Sequence, residues 1–169
     1  MLALRTLSSS LWAQGTIRSG NSPRLPRERI LRHMRILIVD DEEDVRVILR
    51  VNLESAGHVV IETEDGDEAI QLAVANDPDA VVLDVMLPRR DGLSVLDELR
   101  THPRLEDVPV VMLSAKAGKS DIQAGLRHGA DDYIPKPFEP SAIAPALEEI
   151  ESMALSERLY RRHRKAQGL

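Results

Sequence analysis

Three short apolar runs, each ending in a polar side chain, constrain the fold of this chain most strongly. They are residues 35–40 (RILIVD), 80–84 (AVVLD) and 108–114 (VPVVMLS). Because each run is nearly continuous and is bounded by turn residues, it is typical of a strand that is buried on both faces, as in a parallel sheet. The runs therefore predict a sheet with helices packed on both of its sides.

Two weaker strands and five helices complete the pattern. Residues 58–62 and 132–136 have the character of a second and a fifth strand, and apolar residues at helical spacing follow each strand. Short connections between alternating strands and helices predict an α/β fold: a flavodoxin-like, doubly wound, five-stranded parallel sheet of order 2-1-3-4-5 with five helices. The fifth helix is expected to begin near Glu139 or Pro140. Its inward face is expected to carry Ile143, Leu147, Ile150 and Ala154.

The charges divide the chain into three parts. Residues 1–33 carry a net charge of +5, residues 34–152 a net charge of -15, and residues 153–169 a net charge of +4. The first part is rich in Arg, Ser, Gly and Pro and has no sustained apolar period, which predicts a disordered basic extension. It resembles an organelle transit peptide, or it precedes a natural start at Met34. The middle part is the predicted domain, and the last part is expected to extend the fifth helix into solvent.

Composition excludes several classes of function. The chain has no cysteine, so disulfides and thiolate metal sites are excluded. No apolar run approaches the roughly 18 residues that a membrane span requires. The acidic charge of residues 34–152 disfavours DNA binding by that domain, because DNA is itself an anion.

Polar residues at four strand ends are expected to form one pocket. Asp40 and Asp41 follow the first strand, Asp84 ends the third, Ser114 ends the fourth and Lys136 ends the fifth. In the predicted strand order these ends are neighbours, at the edge where open α/β sheets place their binding sites. Three close carboxylates repel one another, and a divalent cation such as Mg²⁺ would relieve that repulsion with oxygen ligands.

The same pocket predicts phosphoryl transfer. Asp84 can act as the nucleophile, since aspartyl phosphates are known covalent intermediates. The ammonium of Lys136 and the hydroxyl of Ser114 can each bind an oxygen of the transferred group. Taken singly, the acids from Asp40 to Asp44 could be ordinary helix-cap residues. Their convergence with the other strand ends favours the functional interpretation.

Four motifs resemble the receiver domain of two-component response regulators. They are IVDDE at 38–42, LDVMLPRRDG at 83–92, LSAK at 113–116 and GADDYIPKPF at 129–138, and the resemblance covers about 34–152. It implies that Asp84 is the phosphoacceptor and that Lys136 senses the phosphoryl group. It further implies that Ser114 and Tyr133 form a switch pair and that the Lys136–Pro137 bond is cis. The Mg²⁺ ligands implied are Asp40, Asp41, Asp84 and the carbonyl of Met86.

The function expected from this resemblance is a cytoplasmic, stand-alone phosphorylation switch. It would take a phosphoryl group from a histidine kinase or a histidine phosphotransfer protein and would assist its own Mg²⁺-dependent phosphorylation and dephosphorylation without being an enzyme. About 17 residues follow the predicted domain, so output is expected through protein contacts on the face of helix four, strand five and helix five. No specific DNA binding is expected, and the protein is expected to be a monomer or a weak, phosphorylation-dependent dimer.

Three alternatives remain open at this point. The first is the receiver part of a transcription regulator whose DNA-binding domain is missing, although helix five lacks the arginine expected in the dimer contacts of that subfamily. The second is a phosphoaspartate hydrolase, which would need a second acid soon after Asp84, where Val85, Met86 and Leu87 stand. The third is a receiver-like module that no longer accepts phosphate, against which the complete pocket argues.

Overall fold

The computed structural model describes residues 33–115 and 118–168. The predicted extension falls almost wholly on residues 1–32, which lie outside the described residues, as do Lys116 and Ala117. The described chain forms a five-stranded parallel sheet of order β2-β1-β3-β4-β5, which confirms the predicted topology. The strands are β1 (Arg35–Val39), β2 (Val59–Thr63), β3 (Ala80–Asp84), β4 (Val110–Ser114) and β5 (Asp132–Pro135).

Six α-helices are described, one more than the sequence predicts. They are α1 (Glu43–Ser55), α2 (Gly66–Asn76), α3 (Gly92–Thr101), α4 (Lys119–Arg127), α5 (Ile143–Ser152) and α6 (Leu155–Ala166), and a short 3-10 turn, Pro140–Ala142, leads into α5. None of the helices in the described ranges has both the length and the apolar content needed to cross a membrane.

The extra helix arises because α5 stops before the predicted continuation. Met153 and Ala154 adopt extended conformations with ψ near 146° and 145°, so the chain leaves the helix there and turns back. Ala154 is exposed at the start of α6, and the prediction that it lies on the inward face of helix five is wrong. The apolar stripe of α5 is already complete with Ile143, Leu147 and Ile150, which are fully buried.

The core consists of two layers, one on each face of the sheet. Successive strand side chains point to opposite faces. In β1, Leu37 and Val39 therefore join the layer beneath α2, α3 and α4, while Ile36 and Ile38 join the layer beneath α1 and α5. Because both faces are covered, the central strands need apolar residues at every position, which explains the uninterrupted runs in the sequence.

The strand register aligns the carboxyl ends of the central strands. Val39 of β1 lies beside Leu83 of β3, and the following residue, Asp84, lies beside Leu113 of β4. Ser114 in turn pairs with Pro135 of β5, immediately before Lys136. Every polar residue that the sequence singles out at a strand end is thus placed at one edge of the sheet.

Candidate functional site

Three carboxylates meet at the carboxyl edge of the sheet. Asp40, Asp41 and Asp84 each place a ligand oxygen within 4.8 Å of the others. Asp40 and Asp84 are buried, whereas Asp41 is exposed at the mouth of the site. All of these donors are hard oxygens and one side is open to solvent, so the residues present fit a divalent cation such as Mg²⁺.

Local backbone contacts hold Asp84 in place. The Met86 N–H donates to Oδ1 of Asp84 at 3.2 Å, and the Gly92 N–H donates to the Val85 carbonyl at 2.9 Å. The second contact folds the loop after β3 tightly over the strand end. A Cβ atom at Gly92 would lie 2.0 Å from the Asp84 carbonyl oxygen, so only glycine fits there.

Asp40 is fixed by the turn that leads from β1 into α1. Its Oδ1 accepts the Glu42 N–H at 2.9 Å, and its carbonyl accepts Nη1 of Arg46 at 2.7 Å. Burial raises the pKa of Asp40, and the nearby Asp84 carboxylate acts in the same direction, while the hydrogen bonds from Lys136 and Glu42 oppose it. Burial thus makes the Asp40 carboxylate harder to ionise, and the hydrogen bond from Lys136 offsets part of that cost.

Lys136 is the cation that joins the acids. Its Nζ lies 2.8 Å from Oδ2 of Asp40, 3.1 Å from Oδ2 of Asp84 and 2.7 Å from Oε1 of Glu42. Burial alone lowers the pKa of Lys136, but the hydrogen bonds to Asp40 and Glu42 outweigh burial and leave the pKa above its usual value. Lys136 is therefore a charged ammonium at neutral pH. The Lys136–Pro137 bond is cis, as the resemblance implied.

Ser114 and Tyr133 lie together beside this cluster. The Ser114 side chain is fully buried and hydrogen-bonds to the Tyr133 side chain. Burial raises the pKa of Tyr133, the hydrogen bond to Ser114 opposes that shift, and Asp121 and Asp84 add to it. A Cβ at Gly125 of α4 would lie 2.9 Å from the tyrosine ring, so the missing side chain makes room for Tyr133.

A cavity of about 480 Å³ opens beside the acids. Met86, 52% exposed, stands at its wall. The lining residues are Asp41, Val85, Met86, Leu87, Pro88, Asp91, Leu93, Asp121, Ala124 and Tyr133. The cavity thus extends from Asp41, the exposed acid of the cluster, to Tyr133, and its volume is large enough for a phosphoryl group and water.

The structure brings the predicted side chains together and adds residues that the sequence reasoning did not single out. Asp40, Asp84 and Lys136 are in direct contact, and Ser114 bonds Tyr133. The Met86 carbonyl remains a predicted ligand, since Met86 is placed beside Asp84 by its N–H. Glu42 was missed as a partner of Lys136, because within a run of acids no local signal tells which one turns inward. Gly92 was predicted only to mark a turn, and its close approach to the Asp84 carbonyl was not predicted.

Comparisons with known proteins place this geometry in a family. The family described as "Response regulator receiver domain" matches residues 36–148. The alkaline phosphatase synthesis transcriptional regulatory protein PhoP of Bacillus subtilis is 44% identical over 116 residues, covering 69% of this chain and 48% of PhoP. Response regulator MprA of a Mycobacterium species is 46% identical over 135 residues, covering 80% of this chain and 54% of MprA. The chain thus spans about half the length of these curated relatives.

Solved structures give the same result. A protein described as a response regulator from Chloroflexus aurantiacus superposes with a TM-score of 0.69 at 37% identity, covering 72% of this chain and 100% of that one. The chemotaxis response regulator CheY4 of Vibrio cholerae superposes with a TM-score of 0.66 at 27% identity, covering 70% of this chain and 98% of that one.

Proposed function

This chain belongs to the response regulator receiver family, and on that premise we propose that it is a cytoplasmic phosphorylation switch whose acceptor is Asp84. The observation that carries the proposal is the contact of Lys136 with both buried acids, at 2.8 Å from Asp40 and 3.1 Å from Asp84. A lone acid at a strand end is commonplace. An acid that shares a cation with a second buried acid, and whose neighbour Val85 lines an open cavity, is equipped to receive a phosphoryl group.

The proposed reaction uses the chain's own groups in defined roles. An Asp84 carboxylate oxygen attacks the phosphorus of a phosphohistidine, the P–N bond breaks, and the histidine nitrogen keeps the electron pair. Lys136 Nζ lies 3.1 Å from Oδ2 of Asp84, and Ser114 ends the neighbouring strand, so both side chains would bind oxygens of the arriving phosphoryl group. Mg²⁺ held by Asp40, Asp41 and Asp84 would neutralise the negative charge that accumulates at the site.

Phosphorylation by a small donor tests this proposal directly. The protein is incubated with acetyl phosphate, with and without Mg²⁺, and the modified peptide is identified by mass spectrometry. We expect the phosphoryl group on the peptide that contains Asp84, and only when Mg²⁺ is present. Modification at another residue, or labelling that persists in excess chelator, would rule out the proposed acceptor or the proposed metal dependence.

Met86 is expected to lengthen the life of the aspartyl phosphate. Hydrolysis needs a water held in line with the phosphorus, and a thioether cannot orient water well. Replacing Met86 by Asn should therefore speed the loss of phosphate several-fold, corresponding to roughly 1 kcal/mol of barrier. The measurement follows phosphate loss after the donor is removed. An unchanged rate would show that position 86 does not control water access. The resemblance implies a second flanking position two residues after Ser114; it holds Lys116, which lies outside the described residues.

The proposed partners follow from the same role. A histidine kinase or a histidine phosphotransfer protein would supply the phosphoryl group at the open mouth near Asp41. A downstream protein would contact the face formed by α4, β5 and α5, which lies next to the Ser114–Tyr133 pair. The proposed reaction modifies Asp84 of the chain itself and turns over no separate substrate. We therefore class the chain as a switch that assists its own modification and not as an enzyme.

A second candidate is the receiver part of a transcription regulator. It is favoured by PhoP, whose name gives it a role in transcription and of which this chain covers 48%. The DNA-binding step would then belong to sequence beyond this chain. We expect the chain itself to show no sequence-specific DNA binding in mobility-shift assays, and any binding to weaken steeply with salt. Specific binding that survives removal of 1–33 and 156–169 would contradict this expectation.

A further inference from the structure

The basic helix α6 does not extend into solvent but folds back over the edge of the sheet. It packs against α4 and reaches β5, the last strand of the sheet. Arg162 binds Asp131 through Nε and Nη2, each at 2.8 Å from a carboxylate oxygen. Lys165 donates to Oδ1 of Asp132 at 2.6 Å. The expectation that residues 153–169 form a solvated end is therefore wrong for the described part of α6.

Further contacts tie α6 to its surroundings. Arg161 lies 2.9 Å from a carboxylate oxygen of Glu149 on α5 and 3.7 Å from one of Asp132 on β5. Arg158 donates to the Asp107 carbonyl in the loop before β4. The helix consequently contacts each element of the face formed by α4, β5 and α5, touching β5 at its first residue, Asp132, and α5 at Glu149 near its end. The proposed function assigns that face to a downstream protein.

The orientation of α6 is the reverse of an ordinary amphipathic helix. Arg158 and Arg162 are buried, at 7% and 8% exposure. The larger apolar side chains face outward instead, with Leu155 40%, Leu159 47% and Tyr160 65% exposed. A surface helix normally buries its apolar stripe. Since the inward contacts of α6 are mainly charged, its docking depends on ion pairs much more than on apolar burial.

Asp131, the acid that Arg162 binds, also has hydrogen-bond partners that do not belong to α6. Oδ2 of Asp131 accepts the Val110 N–H at 2.8 Å and lies 3.3 Å from Nη2 of Arg100. Burial and the adjacent Arg162 guanidinium lower the pKa of Arg100 to about 10. Docking of α6 thus brings a second guanidinium, that of Arg162, to an acid that Arg100 already pairs. This like-charge crowding makes the docked state easier to leave.

We propose that α6 is an intramolecular cap that occupies the α4–β5–α5 face and competes there with the downstream protein. The proposal depends on the proposed function in one respect: it takes that face as the surface that contacts the downstream protein. It also specifies the chemistry of the competing partner: a helix with Arg or Lys at i, i+3, i+4 and i+7, the spacing of Arg158, Arg161, Arg162 and Lys165. The cations at i+4 and i+7 of that partner would bind Asp131 and Asp132, as those of α6 do. Such a partner can bind only after α6 has left.

Amide hydrogen exchange on the full, unphosphorylated chain tests the cap. In the wild type, the amides of α6 should be protected, and they should open separately from the sheet. Arg162→Ala should speed exchange in 155–166 by about tenfold, since it removes a charge-assisted pair while Arg100 and Val110 still bind Asp131. The matched control is Arg164→Ala on the exposed side of the same helix, which should leave exchange unchanged. Equal loss of protection in α4 and β5, or no change in α6, would overturn the cap.

A peptide added in trans tests the competition. A fluorescent peptide of residues 153–168 should bind Arg162→Ala protein at least several-fold more tightly than wild type, because the wild-type face is already occupied. The gain should disappear when Asp132→Asn is added to that variant. Equal affinity for wild type and Arg162→Ala would overturn the proposal. Labelling of Asp84 by acetyl phosphate, measured on the same samples, tests the proposed function separately. Loss of labelling would contradict the phosphoacceptor role, whereas unchanged peptide affinity would contradict only the cap.

Discussion

Replacing Asp84 by asparagine is expected to reduce Mg²⁺-dependent labelling by acetyl phosphate by at least about 100-fold, equivalent to about 2.7 kcal/mol of barrier. The amide has nearly the same shape as the carboxylate but lacks its nucleophilic charge. It also replaces one of the three carboxylates whose oxygens lie within 4.8 Å of one another by a neutral amide, which is a weaker ligand for Mg²⁺. Intact-mass spectrometry over a time course of labelling gives the rate.

The matched control for this experiment is Asp44→Asn. Asp44 lies in the first turn of α1 and is exposed, close in sequence to the acids of the site. Its labelling rate should equal that of the wild type. The Asp84→Asn protein should remain folded, because the amide oxygen can still accept from Lys136 and the repulsion with Asp40 is relieved. Wild-type labelling of a folded Asp84→Asn protein would exclude Asp84 as the acceptor.

Replacing Lys136 by alanine is expected to lower the free energy of unfolding by about 3 kcal/mol at pH 7 in the presence of a chelator. The change leaves Asp40 and Asp84, whose side chains are 1% and 4% exposed, without the cation that they share. Breaking a buried ion pair costs about 3–5 kcal/mol because an unpaired charge remains. The lower end applies here because the Lys136 side chain is itself 12% exposed. Urea denaturation provides the measurement.

Three further observations sharpen the Lys136 experiment. Adding Asp84→Asn should restore part of the lost stability, since it removes one of the two unpaired charges. Saturating Mg²⁺ should also stabilise the variant, because an ion that binds only the folded state favours it. Lys119→Ala, at an exposed position on α4, should change stability little. A Lys136→Ala protein as stable as the wild type in chelator would show that water already solvates the two acids.

The pH dependence of this loss has a definite sign. Lys136 has a raised pKa in the folded protein, so its contribution to stability is fully present at pH 7 and fades only at strongly alkaline pH. Asp40 also has a raised pKa, so its protonation favours the folded state as the pH falls. The difference in stability between wild type and Lys136→Ala should therefore shrink as the pH approaches about 4.

The sequence by itself determined the sheet and the place of the site. Apolar runs in β1, β3 and β4 indicate strands with both faces buried, and short connections leave few topologies for five strands that alternate with helices. Once the strands are parallel, their carboxyl ends must meet, so Asp40, Asp84, Ser114 and Lys136 are brought together by topology alone. The local pattern of apolar residues is sufficient to predict these strands and helices, because each of them buries its own apolar face.

Tertiary structure alone decided which charged groups pair. Glu42 and Lys136 are 94 residues apart, and nothing near Glu42 distinguishes it from the other acids that follow β1. The course of α6 was also undetermined: its run of basic residues is typical of a solvated helix, and its apolar residues do not mark the inward side. The helix docks through its basic residues because the fold places Asp131 and Asp132 at the start of the edge strand β5, within reach of Arg162 and Lys165. Charge pairing acts across the assembled fold, so a local sequence pattern cannot specify it.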